Sequence, residues 1–225
     1  MSKKVVLIIF LAPPGSGKGT LSELLNERDN VHILCAGKLL RALFAKKAEQ
    51  GKETESLEGV HKGKYLSDEI VNNCVTEELD RIFKESKEEK FFISLDGYPR
   101  TIGQAERLIE WAKDHELLIV KMEGLSADEI WARLSKRYLC QAEEHVFNAS
   151  FGLPENLICP KDGSKLIRRE DDASIELVKK RLLQHDSLTS PVWEYFQSKG
   201  HKTFVIDSRL KIEDLYKSFK EKICF

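Results

Sequence analysis

Residues 5 to 20 read Val5-Val6-Leu7-Ile8-Ile9-Phe10-Leu11-Ala12-Pro13-Pro14-Gly15-Ser16-Gly17-Lys18-Gly19-Thr20. An unbroken apolar run that stops at Pro and Gly is the pattern of a strand buried on both faces. Leu21, Leu24 and Leu25 follow at helical spacing, so the glycines lie in a strand-to-helix turn. Such a turn holds phosphate. Glycine lets the backbone wrap closely, the N–H groups of the loop and of the helix N-terminus point at an anion, and a lysine adds a mobile positive charge. The segment predicts a phosphate loop of Pro14, Gly15, Ser16, Gly17, Lys18, Gly19 and Thr20, with the Thr20 hydroxyl near the phosphates or magnesium. Two positions depart from GxxxxGK[ST]: Ala12 stands where the first glycine belongs, and Gly19 separates Lys18 from Thr20.

Outward from this loop, short apolar runs recur at Val31–Leu34, Phe91–Leu95, Leu117–Met122 and Thr203–Ile206, with helical patterns between them. Strand alternating with helix predicts right-handed crossovers, hence an α/β fold: a doubly wound parallel sheet of about five strands, of the P-loop NTPase type. One helix face carries Ile70, Val71, Cys74, Val75, Leu79, Ile82 and Phe83, with Ser67 as its expected N-cap. Ser126 and Glu129 make a capping box for a helix bearing Ile130, Trp131 and Leu134. Arg133 and Arg137 are four apart on that pattern and are expected on one helical face. Asp96 ends an apolar strand, where ligands of open α/β sheets gather. Two segments break the rhythm. Residues 36–64 are helical but strongly charged, and residues 136–172 hold no long periodic element; a stretch of that kind inside a compact domain is expected to be a functional lid.

The chain of 225 residues, 41% hydrophobic, fits one domain over residues 1–225 carrying these two insertions. Lys and Arg total 36 against 37 Asp and Glu, so no global field draws the chain to nucleic acid or membrane, and an anion site must be built locally. Lys3 and Lys4 followed by Val5–Ala12 imitate a secretory signal, but the apolar run is short and leads straight into the glycine loop. An odd count of five cysteines points to reduced thiols and a cytoplasmic location. Cys140-Gln141-Ala142-Glu143 and Cys159-Pro160-Lys161-Asp162 have the paired spacing of a zinc knuckle in which Glu143 and Asp162 replace two thiolates, and His145 is an alternative to Glu143. A metal-free polar cluster and a Cys140–Cys159 disulfide are the other readings of the same residues.

The sequence Gly17-Lys18-Gly19-Thr20 resembles the loop of the adenylate kinases, and from there a resemblance to the long-lid form of that family runs from Val5 to about Leu215. Ala36-Gly37-Lys38-Leu39-Leu40-Arg41 resembles its [ST]GDxLR segment, and Gly63-Lys64-Tyr65-Leu66-Ser67-Asp68-Glu69 its GKLVxDE segment. Asp96-Gly97-Tyr98-Pro99-Arg100-Thr101 with Gln104 is similar to DGFPRTxxQ, Arg169 with Asp171 and Asp172 to RxDD, and Thr189-Ser190-Pro191 to TxPL/V. The resemblance implies phosphoryl transfer from ATP with magnesium (Mg2+) to AMP, giving two ADP, by a monomer whose partners are these small nucleotides. It implies that Arg41 and Arg100 hold the acceptor monophosphate, and that Arg133, Arg137, Arg169 and Arg181 surround the ATP phosphates, the last two also reaching AMP. It adds Ala36, Leu66, Gly97 and Gln104 to the AMP site, with Gln104 on the adenine, and assigns Asp96 to ordering water around magnesium. One extra residue lies between Asp172 and Arg181 relative to the family pattern, which makes Lys180 an alternative to Arg181. Family lids bind zinc through cysteines, sometimes with an acid, or dispense with metal. Ala36 and Lys38 depart from the family pattern and leave two alternatives, a UMP/CMP kinase on the same scaffold and a catalytically silent nucleotide-binding protein.

Overall fold

The computed structural model describes residues 3–50, 66–142 and 145–223. Its main sheet has five parallel strands, β1 (Lys4–Leu11), β2 (His32–Cys35), β3 (Lys90–Asp96), β4 (Glu116–Glu123) and β8 (Lys202–Asp207), in the order β2-β3-β1-β4-β8. The doubly wound α/β expectation holds.

β1 sits at the centre, and its alternation decides the two layers. Val5, Leu7, Ile9 and Leu11 face one hydrophobic cluster, while Val6, Ile8 and Phe10 face the other. The first cluster is covered by α2 (Ala36–Glu49), α3 (Asp68–Glu85), α4 (Ile102–Trp111) and α7 (Ser190–Ser198). The second is covered by α1 (Lys18–Asp29) and α8 (Ile212–Ile223). Because side chains alternate across a strand, a central strand flanked by helices must be apolar at every position, and residues 5–11 are all buried.

Two local expectations divide. Ser126 and Glu129 form the capping box at the start of α5 (Ala127–Leu134), each bonding the other's backbone N–H. Ser67 precedes α3 but makes no side-chain cap bond; Asp68 and Glu69 occupy the first turn, where negative charge complements the helix dipole. Arg137 is a correction. It is not on the α5 face with Arg133, because α5 ends at Leu134 and Arg137 opens a strand of the lid. Backbone pairing of Arg137 with Asn148 overrides the local helical spacing there.

That lid is a small antiparallel sheet, order β6-β5-β7, made of β5 (Arg137–Cys140), β6 (Val146–Asn148) and β7 (Leu166–Ile167). Its own core is Cys140, Cys159 and Leu166 with Tyr138, Phe147, Leu153 and Leu157 packed around them. After the lid, α6 (Ile175–Gln184) runs through a five-residue π-helical stretch, His185–Thr189, into α7. Residues 51–65, which hold about half of the first expected insertion, lie outside the described residues. No described helix is long and apolar enough to cross a membrane.

Candidate active site

The phosphate loop occupies the carboxyl end of β1, at the centre of the sheet. Gly15 (φ 76°) and Gly17 (φ 94°) adopt left-handed backbone, which costs glycine little and other residues more. At Gly15 a side chain would also crowd Leu134, since an added Cβ falls 3.1 Å from its Cγ. Gly17 is the N-cap of α1 and supplies no side-chain oxygen, so the first-turn N–H groups receive no capping side chain and face the cavity.

Lys18 Nζ lies 3.5 Å from Asp96 Oδ1 at the end of β3. Asp96 holds the ammonium charge up, but burial and the positive field of Arg100, Arg137 and Arg181 outweigh it, and the Lys18 pKa falls below its ordinary value. A site that strains its own lysine by positive charge is arranged for a polyanion.

The arginines are posed by carboxylates and backbone oxygens. Arg133 Nη2 donates to Ser208 O at 2.9 Å, and its Nη1 is 3.4 Å from Gly15 O. Asp172, fully buried, takes Arg137 Nε at 2.8 Å on one oxygen and Arg181 Nη1 at 2.7 Å on the other. Arg169 forks onto Asp171 with two contacts of 2.9 Å. Burial pushes the Asp171 carboxyl up, yet Arg169, Arg181 and Arg137 together bring it below its usual value, so it stays ionised. Arg181 is thus placed in the cluster, whereas Lys180 is exposed and does not line the cavity.

The other half of the cavity is built by α2 and the turn after β3. Arg100 is exposed toward it and is steadied by Nε donating to Gly97 O at 2.9 Å. Gly97 has φ 78° and leaves room for that guanidinium, because an added Cβ would come within 2.9 Å of Arg100 Nη2. Gly37 likewise lies under Arg41, with 3.2 Å between its would-be Cβ and Arg41 Nη1. Ala36 is buried at the start of α2, and Leu66 and Gln104 close this side. Both ends of the Gln104 amide already have protein partners: Oε1 accepts from Arg100 N at 2.7 Å and Nε2 donates to Asp68 Oδ1 at 2.8 Å.

Every residue named from sequence for ATP or AMP lines one continuous cavity of about 1690 Å³. Ordinary small-molecule pockets are about 300–1,000 Å³, so this space suits two nucleotides rather than one. Also on its wall are Ser208, Arg209 and Lys211, which the sequence reading passed over. Their signal was their place after the apolar run Thr203–Ile206, at the carboxyl edge of the sheet. His185 was missed too; it lies in the π-helical stretch, and burial, with Lys18 and Arg100 adding, lowers its pKa despite Asp186.

The adenylate kinase family model matches residues 10–201. The chain belongs to the adenylate kinase family. The adenylate kinase of Chloroherpeton thalassium is 33% identical over 217 residues, covering 95% of this chain and 96% of that one. That of Petrotoga mobilis is 34% identical over 213 residues, covering 93% and 94%. That of Chlamydia trachomatis serovar L2 is 30% identical over 233 residues, covering 99% and 92%. In this member of the family the half of the cavity built by α2 carries Ala36 and exposed Lys38 on its wall, and the arginine cluster is intact around it.

A second constellation lies in the lid. One donor atom each from Cys140, His145, Cys159 and Asp162 falls within 4.8 Å of all the others. Cys140 Sγ is 2.9 Å from Asp162 Oδ2 and 3.3 Å from His145 Nδ1, and Cys159 Sγ is 3.5 Å from the same nitrogen. Ligands around tetrahedral zinc lie roughly 3.3–3.8 Å apart, given Zn–S near 2.3 Å and Zn–N or Zn–O near 2.0–2.1 Å. Two sulfurs, one imidazole and one carboxylate, with all four side chains converging, are consistent with zinc. Cys140 and Cys159 are not joined to each other, so the disulfide reading is not realised. Glu143 lies outside the described residues; among the described ones His145 takes the fourth position. The lid also reaches α1, where Lys161 Nζ meets Glu27 Oε1 at 2.7 Å.

Proposed function

We propose that this protein transfers the γ-phosphoryl group of MgATP to AMP, giving two ADP, with the donor on the phosphate-loop side of the cavity and the acceptor on the Arg41, Arg100 and Gln104 side. The observation that carries this reading is the single cavity joining both halves, in which burial and the nearby Arg100, Arg137 and Arg181 depress the Lys18 pKa. Phosphoryl transfer needs alignment, charge neutralisation and dryness more than covalent help from protein. Arg41 and Arg100 are suited to grip the acceptor phosphate, whose oxygen attacks in line. Lys18, Arg133, Arg137, Arg169 and Arg181 are suited to hold the donor phosphates, and the guanidinium forks can follow charge as it spreads over the moving group. Asp96 and Thr20, both on the cavity wall, are suited to hold the magnesium of MgATP and its water.

By the same logic residues 36–64 form the acceptor-binding insertion and residues 136–172 the lid, and their closure excludes water that would otherwise take the phosphoryl group. One chain furnishes all the groups named, which supports action as a monomer. Zinc on Cys140, His145, Cys159 and Asp162 would act as a structural clip between the two ends of the lid.

The test is a coupled assay with MgATP and AMP, GMP, UMP or CMP offered singly. AMP is expected to give the highest kcat/KM. A higher value for a pyrimidine nucleotide would replace this assignment by the UMP/CMP alternative, and no transfer to any acceptor would leave a silent nucleotide binder.

A further inference from the structure

Asp68 opens α3 and takes no part in the phosphate contacts described above. Its carboxylate reaches across to α4: Oδ2 accepts from Thr101 Oγ1 at 2.7 Å, and Oδ1 accepts from Gln104 Nε2 at 2.8 Å. The opposite end of the same amide is held by the Arg100 backbone, whose N–H donates to Oε1 at 2.7 Å. Thr101 ties this frame to its helix, since its hydroxyl also accepts the Gln104 backbone N–H at 3.1 Å. Gly103 makes the approach feasible, for a Cβ there would lie 2.7 Å from Asp68 Oδ2. Gln104 is only 2% exposed, yet it lines the cavity.

A glutamine amide has nearly the same shape either way round, but its two orientations read opposite hydrogen-bond patterns. Asp68 offers only acceptors and the Arg100 N–H only a donor. Turning the amide over would set its carbonyl against a carboxylate and its NH2 against an N–H, two repulsive contacts in a buried place. In the orientation observed, each partner uses one of two available positions, so one Oε1 lone pair and one Nε2 hydrogen remain. An acceptor beside a donor complements the 6-amino group and N1 of adenine. In a 6-oxopurine those two positions are reversed, with an acceptor at O6 and a donor at N1.

We propose that Asp68 is a specificity-determining positioning residue, which locks the Gln104 amide in the orientation that accepts a 6-aminopurine and rejects a 6-oxopurine. The inference rests on the AMP-acceptor reading. Asp68 acts through Gln104 without itself touching the base, so its effect belongs to acceptor choice and not to donor binding.

The experiment compares kcat/KM for AMP and for IMP at saturating MgATP in the full chain and in Asp68→Ala, Asp68→Asn, Gln104→Ala and the Asp68→Ala/Gln104→Ala pair. A lost hydrogen bond to a charged group predicts an AMP-to-IMP ratio about tenfold lower in Asp68→Ala. The change should enter through KM for AMP, with KM for ATP within about twofold of the parent. Asp68→Asn, whose amide can turn either an acceptor or a donor toward Gln104, gives a ratio between those of the parent and Asp68→Ala, and in the Gln104→Ala background Asp68→Ala moves it no further. Should the alanine variant melt below assay temperature, Asp68→Ser, which removes the carboxylate but keeps a small polar side chain in the first turn, takes its place. An unmoved ratio in Asp68→Ala, or an equal fall with Gln104 already removed, overturns the inference while leaving the activity standing. Failure of the parent protein to phosphorylate AMP overturns the acceptor reading and this inference with it.

Discussion

Asp172→Asn gives the sharpest test of how the arginines around the cavity are held. The Asp172 side chain is 0% exposed and bridges Arg137 and Arg181, whose side chains are 17% and 20% exposed. The substitution keeps the volume but removes the charge, and one of the two oxygens becomes an NH2 facing a guanidinium. Losing one charge-assisted hydrogen bond costs about 1.5–3 kcal/mol, and breaking a fully buried pair about 3–5 kcal/mol. The arginines keep some contact with water, so the lower end of the buried-pair range applies, about 3 kcal/mol. For a chain of this size each kcal/mol moves Tm by about 2–4 °C, which predicts a fall of about 6–12 °C. Saturating MgATP supplies replacement negative charge to the same arginines, so the deficit should narrow when nucleotide is bound. Calorimetric melting of parent and variant, each with and without MgATP, reads both effects. A fall under about 3 °C, or a deficit equal with and without nucleotide, would refute the view that Asp172 balances a charge cluster built for phosphate.

Lys18→Ala should melt within about 2 °C of the parent yet lose about 10²–10³ in kcat, the magnitude typical of removing one preorganised charge from a transition state; single-turnover rates at saturating MgATP and AMP check this. If the lid holds zinc, chelation should lower the Tm of the parent more than that of Cys140→Ala, and metal analysis of chelator-free protein should find close to one zinc per chain. Ser126→Ala removes one half of the α5 capping box and should cost about 1 kcal/mol, or about 2–4 °C in Tm, with KM for both nucleotides unchanged.

What the sequence determined by itself was whatever physics acts over a few residues. The seven consecutive apolar side chains of Val5–Leu11 can only be satisfied between two helical layers, and β1 lies there. The glycines of the phosphate loop and the Ser126–Glu129 box are likewise local, because a left-handed φ or a reciprocal cap involves neighbours within one turn. The tertiary structure decided which side chains meet across long separations. It moved Arg137 from the α5 helix to the lid, since pairing with Asn148 outweighs a four-residue spacing. It gave His145 a place beside Cys159 and Asp162, which the spacing of the cysteines alone left open between two residues. Ser67 lost its expected capping role, while Asp68, one position on, acquired partners 33 and 36 residues away in the chain. Periodicity reports which face of an element is apolar, but a polar side chain finds its partner only when sheet order and helix packing have fixed the distance between elements, and no local pattern carries that distance.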